Sequence, residues 1–219
     1  DYFSTRTFRA AEGAWMLGSG PSIKYLFPNI ELRLNDATAA GKGVNLHVLA
    51  AAEDVDTLDT LLSRLHFNFQ DVDYSASDGD LVRLGRAYRN NPSLDEDAAR
   101  SEGANQFKVN FKDLKELFQS NAAFREKCIV GVAAGKDGAS GMKSEDGGFV
   151  AYRQGLERFA QVIFTGSEKD HEFWLGHGVD DEKTLERKYG GPKLCLHGSD
   201  AHELAKLGEP DQDRFCWLK

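Results

Sequence analysis

Polar and apolar positions follow two rhythms along this chain, and each rhythm predicts an element. Asn29-Ile30-Glu31-Leu32-Arg33-Leu34 alternates at period two and reads as a strand, and Val44-Asn45-Leu46-His47-Val48-Leu49 reads as a second. Val55, Leu58, Leu61, Leu62 and Leu65 then recur at three and four, which predicts an amphipathic helix from Asp54 to about His66. Asn110 is placed to cap a helix carrying Phe111, Leu114, Leu117 and Phe118, with Asp113 helping at the third position. Cys128 to Ala133 is a short apolar run, read as a buried strand, and the glycine-rich stretch Gly135 to Gly148 follows it. A further helix places Tyr152, Leu156, Phe159 and Ile163 on one face. Leu194-Cys195-Leu196 is a short strand running into His197-Gly198-Ser199-Asp200-Ala201-His202. The polar segment 71–106 has weak periodicity and one Asn-Pro, and reads as either a helical insertion or a mobile lid. Alternating helices and strands, with no internal repeat, predict one α/β domain over 1–219.

Bulk properties narrow the classes. A chain of 219 residues can bury one substantial core, and 41% hydrophobic with 28% charged residues is ordinary for a soluble globular protein. No apolar run reaches the roughly 18 residues a membrane span needs, so no membrane partner is expected. Asp1 to Arg6 has neither the basic nor the apolar region of a signal peptide. Three scattered cysteines (Cys128, Cys195, Cys216) fit reduced thiols in a cytoplasmic protein better than a disulfide framework or a zinc knuckle. The net charge of −8 repels nucleic-acid backbones at long range. Any such contact must be local, through a metal cluster or a basic rim, or come from another domain.

The candidate chemistry begins at Asp200 and His202. A carboxylate and an imidazole two residues apart at a strand end can point to the same side and grip one divalent cation. The plain alternative is a capping Asp beside a surface His. Glu31 and His47 each sit within an otherwise apolar strand, where a buried ionisable group must be paired or bound to metal. Their plain alternatives are a salt bridge from Glu31 to Arg33 and a hydrogen bond from His47 to backbone. Four donors at the ends of three strands make a polynuclear metal site the more economical account. His197 could assist proton transfer or hydrogen-bond a ligand. Arg214 could contact a substrate phosphate or pair with Asp211 or Asp213. Lys136, among Gly135, Gly138 and Gly141, could present a cation and backbone amides to phosphate, although a flexible surface loop is the stronger reading. Gly131 to Asp137 is no Walker A motif: three residues separate its glycines where four are needed, and Asp replaces Ser/Thr. His171 and His177 flank Trp174 in a polar stretch that suits exposed packing.

Asp1-Tyr2-Phe3-Ser4, Pro28-Asn29-Ile30-Glu31, Asn45-Leu46-His47-Val48 and Gly198-Ser199-Asp200-Ala201-His202 occur in the order of the motifs of PHP (polymerase and histidinol phosphatase) domains, which the chain resembles. Phe173-Trp174-Leu175-Gly176, Tyr189-Gly190-Gly191 and the ending Asp213 to Lys219 resemble the TrlF-type family more closely, in which a PHP domain precedes an ATPase of the ABC/SMC kind. The resemblance covers essentially the whole chain. It implies a distorted seven-stranded β/α (TIM-like) barrel holding two or three divalent metals, Mn²⁺, Zn²⁺ or Fe. In that family pattern Glu31 bridges metals, His47, Asp200 and His202 are terminal ligands, and Asp1 of the opening motif is a further one. The implied activity is phosphomonoester or phosphodiester hydrolysis on a nucleic acid or nucleotide. The implied setting is a homo-oligomer with an ATPase domain downstream, in defence against phage.

The chain also departs from the family pattern. The His-x-His motif of the first strand is absent, so the expectation is a domain incomplete at its N-terminus, with that motif just upstream. Tyr2 stands where many PHP enzymes have a His ligand, and Ala134 to Gly138 lacks the His that other PHP domains often place there. Two functions follow. One is a metal-dependent phosphoesterase built on Glu31, His47, Asp200 and His202. The other is a degenerate PHP module that regulates or scaffolds the attached ATPase.

Overall fold

The computed structural model describes residues 2–18, 23–37, 43–134 and 147–198. The fold is mixed α/β, and the chain divides into two compact units, Asp1–Ala37 with Gly43–Ile129 and Thr38–Lys42 with Val130–Lys219.

In the first unit Tyr2 makes a single parallel bridge to Glu31, and the Phe3 N–H donates to the Glu31 carbonyl at 3.1 Å. Phe3 is fully buried and takes a left-handed φ of 49°, which turns the chain into helix α1 (Arg6–Met16). Strands β1 (Asn29–Ala37) and β2 (Gly43–Ala50) pair antiparallel, with Ile30 opposite Val48, Glu31 opposite His47 and Arg33 opposite Asn45. One face of this ladder is all core: Ile30, Leu32, Leu34, Val44, Leu46 and Val48 are fully buried. The period-two alternation therefore leaves Glu31, Arg33, Asn45 and His47 half-buried on the opposite face.

Helix α2 (Val55–Ser63) buries Val55, Leu58, Leu61 and Leu62 and packs on β2. It is shorter than the spacing predicts, because Leu65 is buried outside the helix and His66 already begins β3 (His66–Phe69). β3 pairs antiparallel with β4 (Val72–Ser75) through Gln70 and Asp71, both at positive φ, as a primed two-residue turn requires. The segment 71–106 is otherwise a helical insertion, α3 (Asp78–Tyr88) packed against α4 (Glu96–Gln106). Glycine permits that crossing: a Cβ on Gly85 would lie 1.8 Å from the Ala99 carbonyl oxygen, and one on Gly103 would lie 1.9 Å from that of Leu81. After α4 the chain returns to β1, where Val109 bridges Leu34 in parallel. Asn110 then caps α5 (Phe111–Ser120) by accepting from the Lys112 and Asp113 amides, as its position predicts. Asn121 caps α6 (Ala122–Lys127) in the same way.

In the second unit β5 (Cys128–Ala133), which starts at the unit boundary, pairs parallel with β6 (Val162–Phe164), and β6 pairs parallel with β7 (Leu194–Leu196). Helix α7 (Gly147–Phe159) joins the first two strands, and α8 (Glu168–Trp174) and α9 (Glu182–Tyr189) join the last two. Ile163 lies in β6 and not on the α7 face, because the helix ends at Phe159 and the β-branched run that follows is extended. Trp174 is buried edge-on to Phe173 and Tyr189, with ring centroids 5.0 and 5.1 Å away. Among the described residues the strands form open ladders, antiparallel β1–β2 and β3–β4 and parallel β5–β6–β7, and no closed barrel is traced. No helix among the described residues is long and apolar enough to cross a membrane.

Candidate functional site

The polar face of β1–β2 gathers the two described residues in which the sequence reading placed most chemistry. Glu31 and His47 are directly opposite in register, which sets their Cβ atoms roughly 5 Å apart. His47 Nδ1 lies 3.3 Å from Asn29 Oδ1. An amide oxygen only accepts, so this contact is a hydrogen bond in the tautomer that carries the ring proton on Nδ1, the form in which Nε2 is the basic nitrogen. The Glu31 carboxylate has no hydrogen bond or ion pair among the described residues. The salt bridge to Arg33 is not formed, because the Arg33 guanidinium stacks over the Tyr2 ring, 4.6 Å from its centroid. Asn45 Nδ2 donates to Tyr2 Oη at 3.4 Å, while Asn45 Oδ1 is buried with no partner among the described residues. An unpaired buried acceptor costs about 1–3 kcal/mol, so this oxygen suits a cation or a bound donor.

Lys108 completes this face. The Val109 N–H donates to the Arg33 carbonyl and the Asn35 N–H to that of Val109, both at 2.9 Å. Leu34 and Val109 point into the core, so Arg33 and Lys108 sit side by side facing the other way. The Lys108 amine donates to the Asn105 and Phe107 carbonyls at 2.6 and 3.2 Å. Burial, and then the Arg33 charge, lowers its pKa to about 8.

A carboxylate oxygen, an imidazole nitrogen and an amide oxygen on one rigid face suit a first-row divalent cation. They make a partial set: among the described residues no group of three or more His, Cys, Asp and Glu side chains could hold a metal ion. Asp1, Lys136, Asp200, His202 and Arg214 lie outside the described residues. His197 is half-buried, one residue past the C-terminal end of β7 in the second unit. Open α/β sheets bind ligands at strand C-termini, so His197 keeps a position compatible with chemistry.

The second unit also holds a buried carboxylate, paired with a half-buried arginine, that sequence reasoning missed. Glu157 is 3% exposed and accepts from Arg153 Nε at 2.8 Å, one turn earlier on α7. Burial holds its carboxyl above the ordinary value, against the pull of the Arg153 charge. The four-residue spacing was visible in the sequence; the burial was not. A cavity of about 270 Å³ beside Ser4, Thr5, Arg6, Arg9 and Asp59 is internally satisfied, since Thr5 Oγ1 donates to Asp59 at 2.6 Å and Arg9 pairs with Asp56 and Asp59.

Compared with models of protein families, with characterised proteins and with solved structures, the chain matches none of them.

Proposed function

We propose that this chain is a metal-dependent phosphoesterase module of the PHP kind. The observation that supports the reading most is the Glu31–His47 pair: a carboxylate without a partner among the described residues beside an imidazole oriented by Asn29, on a ladder whose other face is core. The family resemblance supplies the rest of the reading. It brings the distorted seven-stranded barrel, with Asp1, Asp200 and His202 as the remaining donors. Glu31 and His47 would hold a divalent cation, which would supply Lewis-acid chemistry toward the phosphoryl group and the attacking water. On this reading Glu31 and His47 bind, Asn29 fixes the His47 tautomer, His197 hands a proton to the leaving oxygen, and Arg214 or Lys136 contacts phosphate. The substrate is a nucleic acid or nucleotide. The attached ATPase, homo-oligomer formation, a cytoplasmic location and a role in phage defence belong to the same proposal.

One observation favours the second reading, a non-catalytic PHP module that regulates or scaffolds the ATPase. Tyr2, at a family ligand position, is taken up internally, with its hydroxyl bonded to Asn45 and its ring under Arg33.

Hydrolysis of bis(p-nitrophenyl) phosphate and of single- and double-stranded DNA separates the two readings. The full chain is assayed with Mn²⁺. Turnover that Glu31→Ala and Asp200→Ala both abolish is the expected result. Folded protein with no turnover in any divalent metal would overturn the enzyme reading and leave the regulatory one.

A further inference from the structure

We infer that Arg33 and Lys108, together with the Tyr2 hydroxyl, form a subsite for a phosphoryl oxyanion on the polar face of β1–β2. Its role as a substrate subsite rests on the phosphoesterase reading, whereas oxyanion binding itself stands on the geometry alone. The Leu34–Val109 bridge sets the two cations side by side, both half-buried and neither with a carboxylate partner among the described residues. This occurs in a chain of net charge −8 whose other arginines repeatedly find acids: Arg6 with Asp97, Arg9 with Asp56, Arg89 with Glu102, Arg100 with Asp78. Like charges held together away from water repel, and one anion between them removes that repulsion.

The groups are also shaped for it. The Arg33 guanidinium carbon lies over the Tyr2 ring, 4.6 Å from its centroid, a contact that holds the group in place while using none of its N–H donors on an acid, so they can meet the paired oxygens of a phosphate. Two backbone carbonyls fix the Lys108 amine and use two of its three protons, leaving the third to donate. Tyr2 Oη accepts from Asn45, so its own proton is a further donor. Glu31 and His47 lie one strand position along the same face, within the span of a single phosphoester.

The test is inorganic phosphate binding to the full chain in EDTA, followed by ³¹P NMR and calorimetry, so that metal chemistry plays no part. Arg33→Gln and Lys108→Met are each expected to weaken binding by about tenfold or more, the scale of a lost charge-assisted hydrogen bond. Tyr2→Phe keeps the stacking ring and removes one donor, so a few-fold loss is expected. Lys112→Gln, an exposed cation elsewhere, leaves binding unchanged. Should Arg33→Gln fail to fold, Lys108→Met and Tyr2→Phe carry the test. No phosphate binding by the wild type, or binding indifferent to Lys108→Met and Tyr2→Phe, overturns the inference. Phosphate binding that responds to these substitutions in a protein without hydrolysis would remove the phosphoesterase reading and keep the subsite.

Discussion

The α3–α4 hairpin and the polar face of β1–β2 carry comparable chemistry and handle it in opposite ways. In the hairpin three cations find acids locally, Arg89 with Glu102, Arg100 with Asp78 and Arg83 with Asp80, although Arg100 Nη2 is buried with no partner among the described residues. Its backbones touch through Gly85 and Gly103, where a side chain has no room. On the ladder, neither Glu31 nor the two neighbouring cations have an oppositely charged partner among the described residues. Charge that is paired holds a structure together, whereas half-buried charge without a partner costs stability and is kept where something outside the fold answers it. The contrast separates scaffold from candidate site without reference to any relative.

The largest expected effect lies in the scaffold. Gly103→Ala forces the two helices apart at backbone level and should cost about 3 kcal/mol or more, read from urea unfolding, while phosphate binding by the folded fraction is unchanged. Next comes Lys108. Its folded pKa of about 8 lies below its ordinary 10.5, so the unfolded chain binds more protons between those values. Stability should therefore rise as pH goes from about 8 to 10.5, and Lys108→Met should flatten that rise in denaturation curves. The smallest effects make the sharpest contrast. Arg89→Ala, which removes an exposed guanidinium from a largely buried Glu102 that keeps Gln106 as a donor, should cost about 1 kcal/mol, and Glu31→Gln should stay within about 0.5 kcal/mol. A large loss of stability in Glu31→Gln would mean that Glu31 is structural after all, and the comparison would fail.

How far the fold was legible depended on where burial came from. β1, β2, β5 and β7 were readable because their apolar positions repeat within the strand itself, and Asn110 because a cap is a local device. α4 was opaque, since the sequence Glu96–Gln106 buries only Ala99, Gly103 and Ala104 and packs through close backbone approach. Ile163 continued the helical spacing by coincidence, and Leu65 extended α2 in the same way. Of the site, Glu31 and His47 stood out as polar residues in apolar strands, and their register made them neighbours. Arg33 was visible only as the alternative salt-bridge partner of Glu31, because a one-dimensional pattern cannot show the Tyr2 ring beneath it. Lys108 gave no signal at all, because only the bridge between Leu34 and Val109, far apart in sequence, brings it to Arg33.

The central claim is that the polar face of β1–β2 binds a divalent cation through Glu31 and His47. Calorimetric titration of Mn²⁺ and Zn²⁺ into the full chain, its Glu31→Gln variant and its His47→Ala variant tests this most directly. Affinity should fall by at least about tenfold in each variant, with the fold intact by circular dichroism. Equal affinity in all three proteins, or no binding by the wild type, would contradict the account.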